Sequence, residues 1–288
     1  WRWRFPDKTP HRRRRQLERD MWDRVTSTVW PETPLAALGG KTPKQAAGDP
    51  NLKVPLRAAL NVLDAYCDRS KYGLDVDALA ASLNVETPPE VILNGQALNR
   101  MTSLQLRRVA PAKLDDEQLG MLLQRAVLIH HGRLLYDVLS LAVDRPTVMD
   151  QFDRQRLLLS FSDLCRDRGR YEEALRWIQE GREHAKTLEN SFKSTLQWVI
   201  QEVMLRLEDP DDPAIAPLLQ HIGDYYVPKL PELRERLTEL VVAAGITPPW
   251  EADTAAASAA GHETVWTPGG AQQESGAGGE KKLWLPGQ

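Results

Sequence analysis

The stretch Leu158 to Lys186, LLSFSDLCRDRGRYEEALRWIQEGREHAK, constrains this chain more than any other part of it. Leu158, Phe161, Ser162 and Cys165 recur at helical spacing, the rhythm breaks at Arg168-Gly169-Arg170, and Ala174, Ile178 and Gly181 resume it. Two amphipathic helices joined by so short a turn must fold back on each other. Small residues at 174 and 181 let the second helix lie close against the first, while Tyr171 plugs the turn. The expected fold class is therefore all-α, a helical-hairpin array.

The same rhythm extends on both sides. Asp115 or Asp116 can cap a helix bearing Leu119, Leu122, Leu123, Ala126 and Val127, ended by Gly132, and Leu134 to Ala142 form the return helix, closed by Pro146. Phe192 to Leu207, Ile215 to Ile222 and Leu233 to Val241 carry further apolar faces. Gly132 and Gly169 lie 37 residues apart and the next break, near Pro210, about forty further on, a period that stacked helical hairpins produce.

Before residue 96 the pattern is shorter. Trp1 to Phe5 alternates aromatic and basic residues, which suits either the last strand of a domain upstream of Trp1 or a frayed basic terminus. His11 to about Val29 favours a helix. Thr42, Pro43 and Gln45 read as a capping box opening a short helix; further helices start near Pro55, with Leu56, Leu60, Leu63 and Cys67 on one face, and at Asp75. Four segments result: a basic arm and helix (1–29), a small helical module (30–95), the hairpin array (96–250), and a tail (251–288) almost without aliphatic residues, expected to be disordered.

Of the 288 residues 42% are hydrophobic, enough for a buried core, and the net charge of −3 argues against a nucleic-acid binder on the whole chain. Residues 1–24 nevertheless hold nine Lys/Arg against four acids, so any nucleic-acid contact is expected through Arg12 to Arg15 alone. Glu18, Asp20 and Asp23 on the same helix favour local pairs and a solvated helix there. Cys67 and Cys165 lack CxxC partners and fit a reducing cytoplasm, and no apolar run reaches the roughly 20 residues of a membrane span.

Two resemblances follow from these residues. Leu158 to Lys186 resembles one tetratricopeptide (TPR) repeat, with Lys186 where that pattern usually has Pro. Trp30, Thr33-Pro34, Leu38-Gly39-Gly40-Lys41-Thr42-Pro43 and the helix from Val54 to Leu63 are similar to the toxin-binding segment of Xre/ParS-type bacterial antitoxins, without the helix-turn-helix expected ahead of it. The first implies a non-enzymatic scaffold that holds a protein or peptide. The second implies an antitoxin-like or nucleic-acid-associated regulator acting through residues 11–95.

Catalytic and cofactor constellations are not expected. Gly40-Lys41-Thr42 has Leu35 where a phosphate loop needs glycine, and His130 and His131 diverge on a helix too far to share a metal. Asp209, Asp211 and Asp212 suit a turn. No cofactor, metal or small-molecule substrate is expected, and any catalytic domain would lie upstream of Trp1. In TPR register, Arg156, Asp163 and Arg166 face a groove suited to an acidic peptide. Trp266 with Pro268 and Trp284 with Pro286 repeat an apolar-Trp-x-Pro-Gly motif, a candidate bivalent contact.

Overall fold

A computed structural model describes residues 3–93 and 98–251. Among them the chain is all-α, a succession of packed helices whose β pairing amounts to one parallel bridge between Val91 and Val109. The tail motifs at Trp266, Pro268, Trp284 and Pro286 lie outside the described residues.

Helix α1 (His11–Arg24) runs on into a widened turn at Val25–Val29 and a tight one at Trp30–Glu32. The hydroxyls of Thr26, Ser27 and Thr28 donate to the carbonyls of Trp22, Asp23 and Arg24, a local competition that loosens the ladder where three such residues follow one another. Trp3 forms no strand here. It packs edge-on against Trp22, with ring centroids 5.2 Å apart.

The capping box of Thr42 and Gln45 opens α2 (Pro43–Ala46), and Asp75 accepts from Ala78 N–H to open α4 (Val76–Ser82). Between them α3 (Lys53–Arg69) buries Leu56, Leu60, Leu63 and Cys67 against Trp22 and Trp30, forming the first of three apolar cores. Each fully buried leucine contributes about 1.5–3 kcal/mol.

The second core joins α5 (Ser103–Leu106), α6 (Asp116–Ile129), α7 (Gly132–Ala142), α8 (Pro146–Met149), α9 (Arg154–Asp167) and α10 (Tyr171–Lys186). Asp115, not Asp116, caps α6, with Gln118 closing the box. Gly132 does not end that helix. His130 takes the left-handed conformation there (φ 51°), and Gly132 starts α7, its N–H donating to Asp68 Oδ2 at 3.1 Å. Pro146 likewise opens α8 instead of closing α7, its fixed φ suiting a first helical position. Gly169 (φ 72°) turns α9 into α10, and Arg170 N–H reaches back to Cys165 O at 2.8 Å.

Helix α11 (Ser191–Arg206) lies against α10, and α12 (Ile215–Tyr225) and α13 (Glu232–Ala243) complete the third core, sealed by Trp250, whose Nε1–H donates to Thr238. Gly181 makes room for α11: a Cβ there would sit 2.3 Å from the buried Trp198 indole. Ala174 is buried within the second core.

Candidate interaction surfaces and an arginine-lined cleft

The residues expected along the α9 face separate into two settings. Arg156 stands 87% exposed at the start of α9, 3.3 Å from its neighbour Asp153. Asp163 and Arg166 pair at 3.1 Å near the other end, and Arg166 also approaches Asp167 and Glu208 at 3.6 and 3.8 Å. Burial pushes the Asp163 carboxyl above its ordinary range, with the Arg166 charge opposing it.

That end of α9 is covered by α1. Arg15 bridges Asp167 at 2.7 Å and Glu208 at 2.9 Å, while Arg12 reaches Asp209 at 2.9 Å and lies 4.7 Å over the Tyr171 ring. The main-chain N–H of Arg12 donates to Glu208 O at 2.9 Å, and Lys71 adds a contact to Asp167. Arg14 turns back onto carbonyls of its own approach, at Thr9 and Asp7. The expected local pairs with Glu18, Asp20 and Asp23 are thus replaced, for Arg12 and Arg15, by partners far along the chain. These carboxylates gather at the ends of α9 and α11, where cations also suit the negative helix termini.

Helix α3 has two faces of opposite use. Asp64 falls inside its buried leucine face at 2% exposure, paired with Arg107 from the segment after α5 and 3.8 Å from His131 Nε2. Asp68, one turn on, accepts from Gly132 and Arg133 N–H and so caps α7 across the two cores. On the outer face Val54, Ala58, Val62 and Tyr66 follow at four-residue intervals, with Val54 and Val62 at 79% and 69% exposure. Four-residue spacing makes this one continuous apolar stripe in water.

A cleft of about 330 Å³ opens between α3 and α4 on one side and α5 and α7 on the other. Arg57, Arg107, Arg108 and Arg133 all line it, with Asp77, Asp137 and His131. Arg108 pairs with Asp77 at 2.7 Å and donates to Pro88 O. Arg57 and Arg133 hydrogen-bond main-chain carbonyls, at Glu86 and Leu74, and Arg133 stands 3.6 Å from Asp75 and 4.0 Å from Asp137. Burial, then repulsion from Arg133 and Arg108, lowers the Arg107 pKa. Among the described residues the buried Arg108 Nε and His131 Nε2 have no hydrogen-bond partner. His131 Nδ1 accepts from Leu134 N–H as the α7 cap, and burial holds its pKa below the ordinary value; the neutral ring therefore carries its proton on Nε2.

Nothing in the spacing of these arginines along the chain predicts the cleft. One signal was present: Asp64, three residues before Cys67 and four after Leu60, is a carboxylate inside an apolar face and demands a buried cation. Among the described residues no group of three His, Cys, Asp or Glu side chains could hold a metal ion, and no helix is long and apolar enough to cross a membrane. No family model, curated protein or solved structure matches the chain.

Proposed function

We propose that this chain is a non-enzymatic protein-binding scaffold, in which a TPR-like array of helical hairpins carries a small helical module that presents the outer face of α3 to a protein or peptide. The single observation that carries the reading is the exposed stripe Val54, Ala58, Val62 and Tyr66. An apolar stripe on a helix already packed on its other side costs solvation unless something covers it. Arg156 offers a second, polar contact at the start of α9. The two buried, free cysteines suit a reducing cytoplasm.

The stripe begins inside the segment similar to the antitoxin toxin-binding region, which supports a protein partner for the alternative reading as well. Nucleic-acid contact through Arg12 to Arg15 has less in its favour, because Arg12, Arg14 and Arg15 are held by oxygens of this chain.

The test places a photo-cross-linking residue at Val62, at Arg156 and, as control, at the exposed Gln220 of α12. A partner should be captured at 62, more weakly at 156 and not at 220. Val62→Asp should then weaken that partner at least tenfold without lowering the melting temperature. Equal capture at all three positions, or full affinity in Val62→Asp, removes the stripe from the account.

A further inference from the structure

We propose that the cleft between α3, α4, α5 and α7 is a binding site for a small phosphomonoester, its phosphate held by Arg57 and Arg133 with Arg108 beside them. Among the described residues four arginines line this one space, with two carboxylates, Asp77 and Asp137. Asp64 behind them neutralises Arg107, and Asp77 neutralises Arg108. Arg57 has no carboxylate within ion-pair distance among the described residues, and Arg133 only the longer contacts to Asp75 and Asp137. With Asp64 and Asp75 counted the four guanidiniums meet four carboxylates, so the attraction for an anion is local to Arg57 and its side of the concave surface.

The donors choose the anion. A planar carboxylate is satisfied by one guanidinium fork, whereas these donors come from three elements and from different directions, which suits a tetrahedral group with oxygens on several sides. His131 borders the cleft, its Nδ1 accepting from Leu134 N–H and its Nε2 3.8 Å from Asp64 Oδ2. The Arg108 guanidinium, held by Asp77 and Pro88 O, is fixed at the cleft wall. The volume of about 330 Å³ lies at the lower end for small-molecule sites, and Val76, Val91 and Leu134 give the body of the ester apolar walls.

The probe is phenyl phosphate, titrated into the full chain by calorimetry and followed by phosphorus NMR, with inorganic phosphate and benzoate as comparators. Phenyl phosphate should bind at sub-millimolar concentration, inorganic phosphate more weakly, and benzoate at least tenfold more weakly than phenyl phosphate. Arg57→Gln and Arg133→Gln should each weaken binding about tenfold while circular dichroism and melting stay unchanged. Saturation should also raise the pKa of the His131 imidazole, its proton resonance assigned by loss in His131→Gln. No heat or phosphorus shift at millimolar phenyl phosphate overturns the proposal, as does equal affinity for benzoate, or full affinity in both arginine variants that remain folded. Vesicles bearing phosphatidic acid should not retain the chain; retention that phenyl phosphate competes away would assign the site to a lipid headgroup and overturn the diffusible ester.

Discussion

Replacing Gly181 by Ala sets two known effects against each other at one position. In an unconstrained helix interior the change gains about 1 kcal/mol, because Ala has the higher propensity. Here the new Cβ would lie 2.3, 2.4 and 2.5 Å from Cζ2, Cε2 and Cη2 of Trp198. Carbon atoms pack best at about 3.5–4.0 Å, so the indole must retreat by more than an ångström. It has little room to do so, being 2% exposed with its Nε1–H bonded to Gln155. Overpacking of this kind costs about 1–3 kcal/mol, so the net effect is a loss of up to about 2 kcal/mol. For a chain of this size that lowers the melting temperature by up to about 4 °C. Trp198→Leu removes the ring that Ala would strike, at its own cost in packing. In that background Gly181→Ala should turn stabilising by the helix-propensity gain. Thermal melts of the four proteins in this cycle decide the matter. A rise in melting temperature for Gly181→Ala alone would refute the claim that this glycine exists to admit Trp198.

The helices and their starts were legible because their signals are local. Thr42 with Gln45, Asp75, and Asp115 with Gln118 each satisfy N–H groups within three residues, so a cap is visible in any short window. The α9–α10 turn at Gly169 is equally local. Helices α5 and α8 span four residues each, too few to display a 3.6-residue period, although α5 opens on the same kind of local box as α2, Thr102 with Gln105. The ion pairs were illegible for another reason. Arg15 meets Asp167 and Glu208 across 152 and 193 residues, and nothing in the spacing of charges says which distant carboxylate a helix will reach. The local acids Glu18, Asp20 and Asp23 were the natural guess, but their helix docks its arginine face onto the ends of α9 and α11. The cleft shares this character: its arginines come from α3, from the segment after α5 and from α7, and only the fold makes them neighbours. The α3 stripe was visible at four-residue spacing, yet the leucine face of the same helix carried the stronger signal.

Arg15→Ala should destabilise the fold by about 1–3 kcal/mol in urea, because it leaves Asp167 and Glu208, 12% and 10% exposed, with the longer contacts to Arg166 as their shared cation; adding Glu208→Gln should recover part of the loss, and full additivity of the two changes would refute the seam. Cys67 and Cys165 are fully buried and their thiols are pushed up to about 12, so a thiol reagent at neutral pH should label neither until denaturant is added; native labelling would contradict both positions. The pH dependence tests His131, whose folded pKa is held below 6.5 by burial and then by Arg107, Arg133 and Arg168, with Asp68 opposing. Unfolding releases the ring to its ordinary value, so in the window between the folded and unfolded values the unfolded chain binds the extra proton. The contribution of His131 is therefore full above about pH 6.5 and is lost as pH falls toward the folded value. Asp163 and Asp137, whose carboxyls burial raises, run the other way: they favour the fold more as acid protonates them. His131→Gln isolates the first effect, since glutamine does not titrate. Stability measured in urea should decline from pH 7 to pH 5 more steeply in the parent than in the variant, and parallel pH profiles would show that the buried ring does not titrate below its unfolded value.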